Sequence, residues 1–220
     1  MTAGGRWRQR LAVYLCMPVT AGKQGRDALA IARAAIAGGV TAIQLRDKES
    51  PLPDVLAVGR QIRQLCREAG VLFFVNDRVD VALLLDADGV HVGQEDLPVH
   101  EARRLLGPGK VIGASAGSLD EAERSIVQGA DYLGVGPIFA TASKADAGEP
   151  VGPGLIRDMR ARWDIPLVGI GGIKADNASL VMDAGADGVA VISAIFDADD
   201  PQQAAARLRE ATEKSAQAGC

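Results

Sequence analysis

An apolar segment of strand length followed by a segment with helical spacing recurs eight times along the chain, and no other feature limits the available folds as much. The strand-like segments fall at 11–17, 40–45, 71–75, 89–92, 111–114, 133–135, 167–170 and 189–192. The helical ones fall at 27–37, 51–69, 79–85, 98–106, 118–128, 155–163, 175–184 and 201–216. The strands lack clean alternation, which suits parallel strands buried on both faces. One helix-to-strand junction is repeated: Gly38-Gly39-Val40, Gln128-Gly129-Ala130-Asp131 and Ala184-Gly185-Ala186-Asp187 each end a helix on glycine just before a strand. Ser118 with Glu121 three residues on has the spacing of a capping box. Eight such units predict an α/β chain folded as a single (β/α)₈ barrel over 1–220, with flexible tails at 1–9 and 217–220. The competing fold, a doubly wound open sheet, would want a G-x-G-x-x-G after the first strand, and residues 17–25 supply none.

Charge and composition narrow the function. A net charge of −4 gives no general affinity for nucleic acid or anionic membrane, so any binding of anions has to be local. Hydrophobic residues make up 48% of the chain, enough for a sizeable core, yet no apolar run reaches the length of a membrane helix. The three cysteines, Cys16, Cys66 and Cys220, are odd in number and show no C-x-x-C spacing, which argues for a reducing compartment and against a disulfide or zinc framework. Residues 6–17 imitate a signal peptide, with arginines before an apolar run, but no A-x-A-like cleavage site follows, and the run reads equally well as a first buried strand. A cytoplasmic protein is expected, and assembly as a homo-oligomer is compatible with the sequence.

Barrel enzymes carry their chemistry at the C-terminal ends of the strands, and the polar residues of this chain concentrate there. Gln44, Arg46 and Lys48 follow the second strand, Asn76 and Asp77 the third, Gln94 and Asp96 the fourth, and Ser115 the fifth. A long loop after the sixth strand carries Thr141, Ser143 and Lys144, Gly171-Gly172 follows the seventh strand, and Ile192-Ser193 the eighth. Singly, each has a structural alternative: Asp77 as a helix cap, Ser115 as a turn residue, Arg46 as a rim ion pair, Lys144 as a solvated lysine. Together they suggest a ligand. Gly171-Gly172 and Ser193 fit the backbone phosphate site of such barrels. Asp77 and Asp96 offer the sparse carboxylate supply expected of Mg²⁺, which keeps waters and takes its other ligands from substrate phosphates. Arg46, Lys48 and Lys144 add a second anionic site suited to a diphosphate.

In order and spacing these segments resemble the thiamine-phosphate synthase family. The resemblance rests on Gln44 through Lys48, Asn76-Asp77-Arg78, Gly93 through Leu97, Gly113-Ala114-Ser115, Gly134 through Phe139, Thr141 through Lys144, Gly169 through Ile173 and Val191-Ile192-Ser193, and covers residues 11–196. It implies a (β/α)₈ transferase that joins a hydroxymethylpyrimidine diphosphate to a thiazole phosphate, or its carboxylated form, with release of pyrophosphate. By position, Gln44, Leu45, Arg46, Asp47, Lys48, Asn76, Ser115 and Lys144 would hold the pyrimidine diphosphate. Asp77 and Asp96 would hold Mg²⁺, and Thr141, Ala142, Ser143, Gly172, Ile192 and Ser193 the thiazole phosphate. Arg46, Ser115 and Lys144 would act on the reacting groups.

The central loop departs from the family's usual Pro-Thr-x-Thr-Lys, reading Ala140-Thr141-Ala142-Ser143-Lys144. The serine keeps the hydroxyl, and the lost proline should loosen the loop. A thiazole tautomerase on the same fold would be expected to lack the metal and diphosphate set, and a sugar-phosphate epimerase would need acid–base groups. The two histidines, His91 in an apolar strand and His100 on an amphipathic helix, read as structural. A phosphate-binding regulatory barrel is the non-enzyme alternative. No serine–histidine or cysteine–histidine arrangement is evident, so a dissociative reaction is expected, in which pyrophosphate leaves before the thiazole nitrogen attacks.

Overall fold

A computed structural model describes residues 7–21, 25–141 and 148–218. Its eight parallel strands close into a barrel in strict chain order: β1 Val13–Met17, β2 Ala42–Leu45, β3 Leu72–Asn76, β4 Gly89–Val92, β5 Val111–Ala116, β6 Tyr132–Val135, β7 Leu167–Ile170 and β8 Gly188–Val191. The helices between them are α1 Ala28–Ala37, α2 Leu52–Ala69, α3 Val79–Leu84, α4 Val99–Leu106, α5 Leu119–Val127, α6 Gly154–Arg162 and α7 Ala178–Asp183. A single turn, α8 Ser193–Phe196, precedes the closing helix α9 Pro201–Ala218. This is the (β/α)₈ barrel expected from the alternating segments. Among the described residues no helix is long and apolar enough to cross a membrane.

The strands carry apolar residues on both faces because each face meets a different core. Val13, Leu15 and Met17 of β1 pack outward against the helices, in the larger cluster of buried aliphatic residues. Tyr14 and Cys16 point inward, with Phe74, Tyr132, Val168 and Ala190 from other strands. The inner space is narrow enough that glycines on one strand make room for rings on others. A Cβ on Gly113 would lie 2.1 Å from Tyr132 Cζ, and one on Gly134 2.8 Å from His91 Cε1.

The repeated junction has a physical basis. Gly39, Gly129 and Gly185 adopt φ of 97°, 95° and 100°, a left-handed conformation that glycine enters without a Cβ clash. A second repeat lies at the same end of the barrel. Asp88, Asp131 and Asp187 each accept a backbone N–H from the preceding strand, from Phe73, Ile112 and Leu167. Each also pairs with an arginine of the helix that precedes that strand: Arg63 of α2, Arg103 of α4 or Arg160 of α6. These side chains are partly buried and tie helix to sheet at the end opposite the active face, where barrel residues serve stability.

Local departures from the sequence reading have local causes. Within 1–9, where a tail is expected, Trp7 and a 3-10 turn over Arg8–Leu11 belong to the described fold, and residues 1–6 lie outside the described residues. Trp7 packs on the inner aromatic cluster, and Arg8 pairs with Asp164 and Asp187. That turn delays β1 to Val13. The Ser118 hydroxyl caps α5 by accepting from Glu121 N at 3.2 Å, but the Glu121 carboxylate accepts from Gly117 N rather than from Ser118, so the reciprocal half of the capping box is displaced by one residue. Helix α7 begins three residues later than expected because Asn177 Oδ1 accepts from Lys174 N and holds the preceding turn.

Candidate active site

The C-terminal ends of the strands surround a cavity of about 500 Å³. Arg46, Asn76 and Ser115 line it from the polar ends of β2, β3 and β5, and Gln44 lies one layer deeper. Across from them are Thr141, Gly171-Gly172 and Ile192-Ser193. Gly171 and Gly172 have φ of 97° and 64°, and a Cβ on Gly172 would stand 2.6 Å from the Ala140 carbonyl. Glycine is therefore required there for close packing of the β6 and β7 loops. Asn177, also in the lining, fixes that loop by donating Nδ2–H to the Gly172 carbonyl at 3.1 Å. Ser193 opens the one-turn α8, whose short A-I-F run carries no readable helical period.

The two aspartates come together. Asp77 sits at φ 59°, in the left-handed region that Asp and Asn tolerate best among residues with a side chain. Burial and the neighbouring Asp96 carboxylate raise the Asp77 pKa above the ordinary carboxylate range, while Lys48, 3.2 Å away, pulls it partly back. Asp96 is held in turn by the Gly93 amide at 2.8 Å. Two carboxylates with one lysine leave excess negative charge, which a divalent cation would relieve. Among the described residues no group of three or more His, Cys, Asp and Glu side chains converges on one point. A pair of carboxylates is the protein share expected of Mg²⁺, not of a metal caged by protein alone.

Deeper in the barrel, a hydrogen-bonded chain crosses the cavity floor. Gln44 Nε2 donates to Tyr14 Oη at 3.0 Å, and Tyr14 Oη lies 3.1 Å from Tyr132 Oη. Tyr132 Oη lies 3.0 Å from His91 Nδ1, and His91 Nε2 lies 3.0 Å from Ser115 Oγ. Burial pushes both phenol pKa values well up, so both tyrosines are protonated. Cys16, also in the lining, is pushed up to about 12 by burial despite the Arg46 cation. Two sequence expectations are corrected here. His91, read as structural, is part of the cavity wall, and a serine–histidine contact does exist. Both were hidden by the same circumstance: an apolar strand buried on two faces does not show which of its residues point inward.

Residues 13–195 match the family model for thiamine monophosphate synthase. The chain belongs to the thiamine monophosphate synthase family. It is 59% identical over 186 residues to the thiamine-phosphate synthase of Moorella thermoacetica, covering 84% of this chain and 89% of that one. It is 53% identical over 186 residues to that of Chloroflexus aurantiacus, covering 84% and 86%. The solved thiamine phosphate pyrophosphorylase of Pyrococcus furiosus superposes with a TM-score of 0.86 at 42% identity, covering 94% of this chain and 98% of that one. Membership in the thiamine monophosphate synthase family makes this barrel a transferase of thiamine biosynthesis.

Of the residues that the family resemblance implies, Gln44, Arg46, Asn76, Ser115, Thr141, Gly172, Ile192 and Ser193 line one cavity. Lys48, Asp77 and Asp96 form a cluster beside Asn76. Leu45 and Asp47 belong to neither group. Leu45 is buried in the outer core, against the space left by Gly59. Asp47 is occupied by backbone of its own loop and of the loop after β1: its carboxylate accepts from the amides of Glu49, Ser50 and Val19 and from the Ser50 hydroxyl. Burial alone would raise the Asp47 pKa, but those hydrogen bonds outweigh it and hold the carboxyl below the usual range. Its role is to shape the Arg46–Lys48 turn. Gln94 likewise serves the frame, donating to the Ser115 carbonyl at 2.6 Å. Ala142, Ser143 and Lys144 lie outside the described residues.

Proposed function

We propose that this barrel catalyses Mg²⁺-dependent transfer of the hydroxymethylpyrimidine group from its diphosphate to the nitrogen of a thiazole phosphate, giving thiamine phosphate and pyrophosphate. The observation that supports this most is the Asp77–Asp96 pair with Lys48, adjoining a cavity that carries Arg46, Asn76 and Ser115 on one side and Gly172 and Ser193 on the other. Two separate anion-binding regions suit a diphosphate and a monophosphate. Asp77 and Asp96 would hold Mg²⁺, which when bound supplies positive charge to the departing diphosphate. Arg46, Asn76 and Ser115 then offer a cation and neutral donors to the same oxygens, and Lys144 is assigned there with them. Gly172, Ile192, Ser193 and Thr141, with Ala142 and Ser143, receive the thiazole phosphate. The buried free thiols Cys16 and Cys66 support a cytoplasmic setting.

The reaction on this reading is dissociative. A 4-aminopyrimidine shares positive charge with its exocyclic CH₂ as pyrophosphate leaves, and the barrel has only to bind the leaving oxygens, orient the ring and exclude water. The thiazole nitrogen attacks within the same cavity. The test is product formation from both substrates with and without Mg²⁺, together with ¹⁸O placed at the bridging position of the pyrimidine diphosphate. Thiamine phosphate formed only with Mg²⁺, and label found in non-bridging positions of recovered substrate, are expected. No product with both substrates and Mg²⁺ would refute the synthase reading. Product without scrambling, and with rates that rise steeply with thiazole nucleophilicity, would replace the stepwise reaction by direct displacement.

A further inference from the structure

We propose that Tyr14, Tyr132 and His91 form a directional hydrogen-bond relay that keeps Ser115 a donor into the cavity and not a nucleophile. The direction follows from counting protons along the chain of contacts. Tyr14 Oη accepts from Gln44 Nε2 at 3.0 Å, so its single proton goes to its other partner, Tyr132 Oη, 3.1 Å away. Tyr132, having accepted that proton's hydrogen bond, gives its own to His91 Nδ1 at 3.0 Å. The neutral imidazole therefore carries its hydrogen on Nε2 and donates it to Ser115 Oγ at 3.0 Å. The Ser115 hydroxyl hydrogen is left for the cavity.

This is the reverse of the wiring that activates a serine. There the third group accepts from Nδ1–H, so that Nε2 is bare and takes the serine proton. Here the third group is a phenol that burial keeps protonated, and it donates. The polarity is set from the far end by Gln44, whose Oε1 remains an acceptor while its Nε2 is engaged. On the synthase reading, on which the ligand assignment rests, the two ends match the two ends of one substrate. Gln44 Oε1 meets an exocyclic amine, and Ser115 Oγ–H meets a diphosphate oxygen. Space for the relay is provided by Gly113 and Gly134, where any Cβ would collide with Tyr132 and His91. Tyr14, Tyr132 and His91 are positioning residues in this scheme.

The chain contains two histidines, so an His100→Gln variant leaves His91 as the single imidazole. In the uniformly ¹⁵N-labelled full chain without substrates, a two-bond ¹H–¹⁵N spectrum at a pH where the ring is neutral should show Nε2 protonated and Nδ1 bare. The opposite tautomer would overturn the relay. Tyr132→Phe removes the donor to Nδ1 and should let the second tautomer appear. Loss of one such hydrogen bond should lower kcat roughly three- to tenfold, with the KM for thiazole phosphate unchanged. Adding Tyr132→Phe to Ser115→Ala should then cost nothing further, because the relay acts only through that hydroxyl. Effects that multiply would overturn the proposal. If Tyr132→Phe fails to fold, the tautomer in the parent chain decides by itself. Because that tautomer is read without substrate, an Nε2–H form alongside absent product formation would sink the synthase reading and leave the relay standing.

Discussion

The two faces of the barrel strands differ in what they are asked to do. Outward, residues such as Leu15, Ile43, Phe73 and Leu133 meet aliphatic side chains of the helices, and fit is the only requirement. Inward, Tyr14, Phe74 and Tyr132 meet in tilted and edge-on contacts at centroid separations of 5.4 to 6.3 Å and share the space with Gln44, His91 and Ser115, all hydrogen-bonded. The outer core is replaceable in detail because hydrophobic packing is tolerant of shape-conserving change. The inner one is not, because each polar group has a partner that would be orphaned by its loss. One strand thus carries stability on one side and chemistry on the other, at successive residues.

Substitutions on the two faces should separate the two quantities. The largest effect is expected inside. Ser115→Ala removes a donor aimed at a leaving diphosphate, and loss of one preorganised donor lowers turnover by roughly 10²–10³-fold. Its melting temperature should stay near that of the parent, since the deleted hydroxyl borders the cavity. A large fall in melting temperature with unchanged turnover would place Ser115 in the frame instead. Outside, Ile62→Ala on α2 empties a fully buried position in the outer core. Such truncations cost about 2–5 kcal/mol, which for a chain of this size lowers the melting temperature by about 5–15 °C. Turnover of the folded fraction should be unchanged, measured well below the transition. If Ile62→Ala lowers kcat as much as Ser115→Ala does, the two faces are not independent.

The contrast also explains what was legible in the sequence. Alternating segments and glycine-ended junctions predicted all eight strands, because burial on both faces writes a dense apolar signature. The polar residues at strand ends stood out against that background, and Arg46, Asn76 and Ser115 do share a cavity. Tyr14 and Tyr132 could not be told from core, since inward and outward positions are both apolar, and their partnership joins residues 118 apart in the chain. Asp47 sits among residues that look like one basic and polar motif, yet its carboxylate is used by two backbone amides of its own loop and one of the neighbouring loop after β1. Which side chains of a turn reach the ligand depends on such local hydrogen bonding. The turn α8 was invisible for a simpler reason: four residues are too few to show a period.

The smallest expected effect tests the rim where the two cores end, and its sign is the informative part. Burial and Asp96 raise the Asp77 pKa in the folded chain. A raised carboxyl pKa favours the protonated form of the native state, so its contribution to stability is fully present below the ordinary carboxylate range and is lost as pH rises through the raised value. At neutral pH without Mg²⁺ the folded chain therefore carries an unrelieved charge. Asp77→Asn cannot ionise, and asparagine accepts the φ of 59° as readily as aspartate. The Lys48 contact is lost, but Lys48 is half exposed and such pairs contribute at most about 1 kcal/mol. In EDTA at neutral pH the variant should melt about 1–3 °C above the parent, on the scale of roughly 1 kcal/mol for a chain of this length, and the gap should close at acid pH. Added Mg²⁺ should stabilise the parent by mass action and the variant only at higher concentration. A variant that melts lower than the parent in EDTA, and responds to Mg²⁺ at the same concentrations, would show that Asp77 is a structural partner of Lys48 and not half of a metal site.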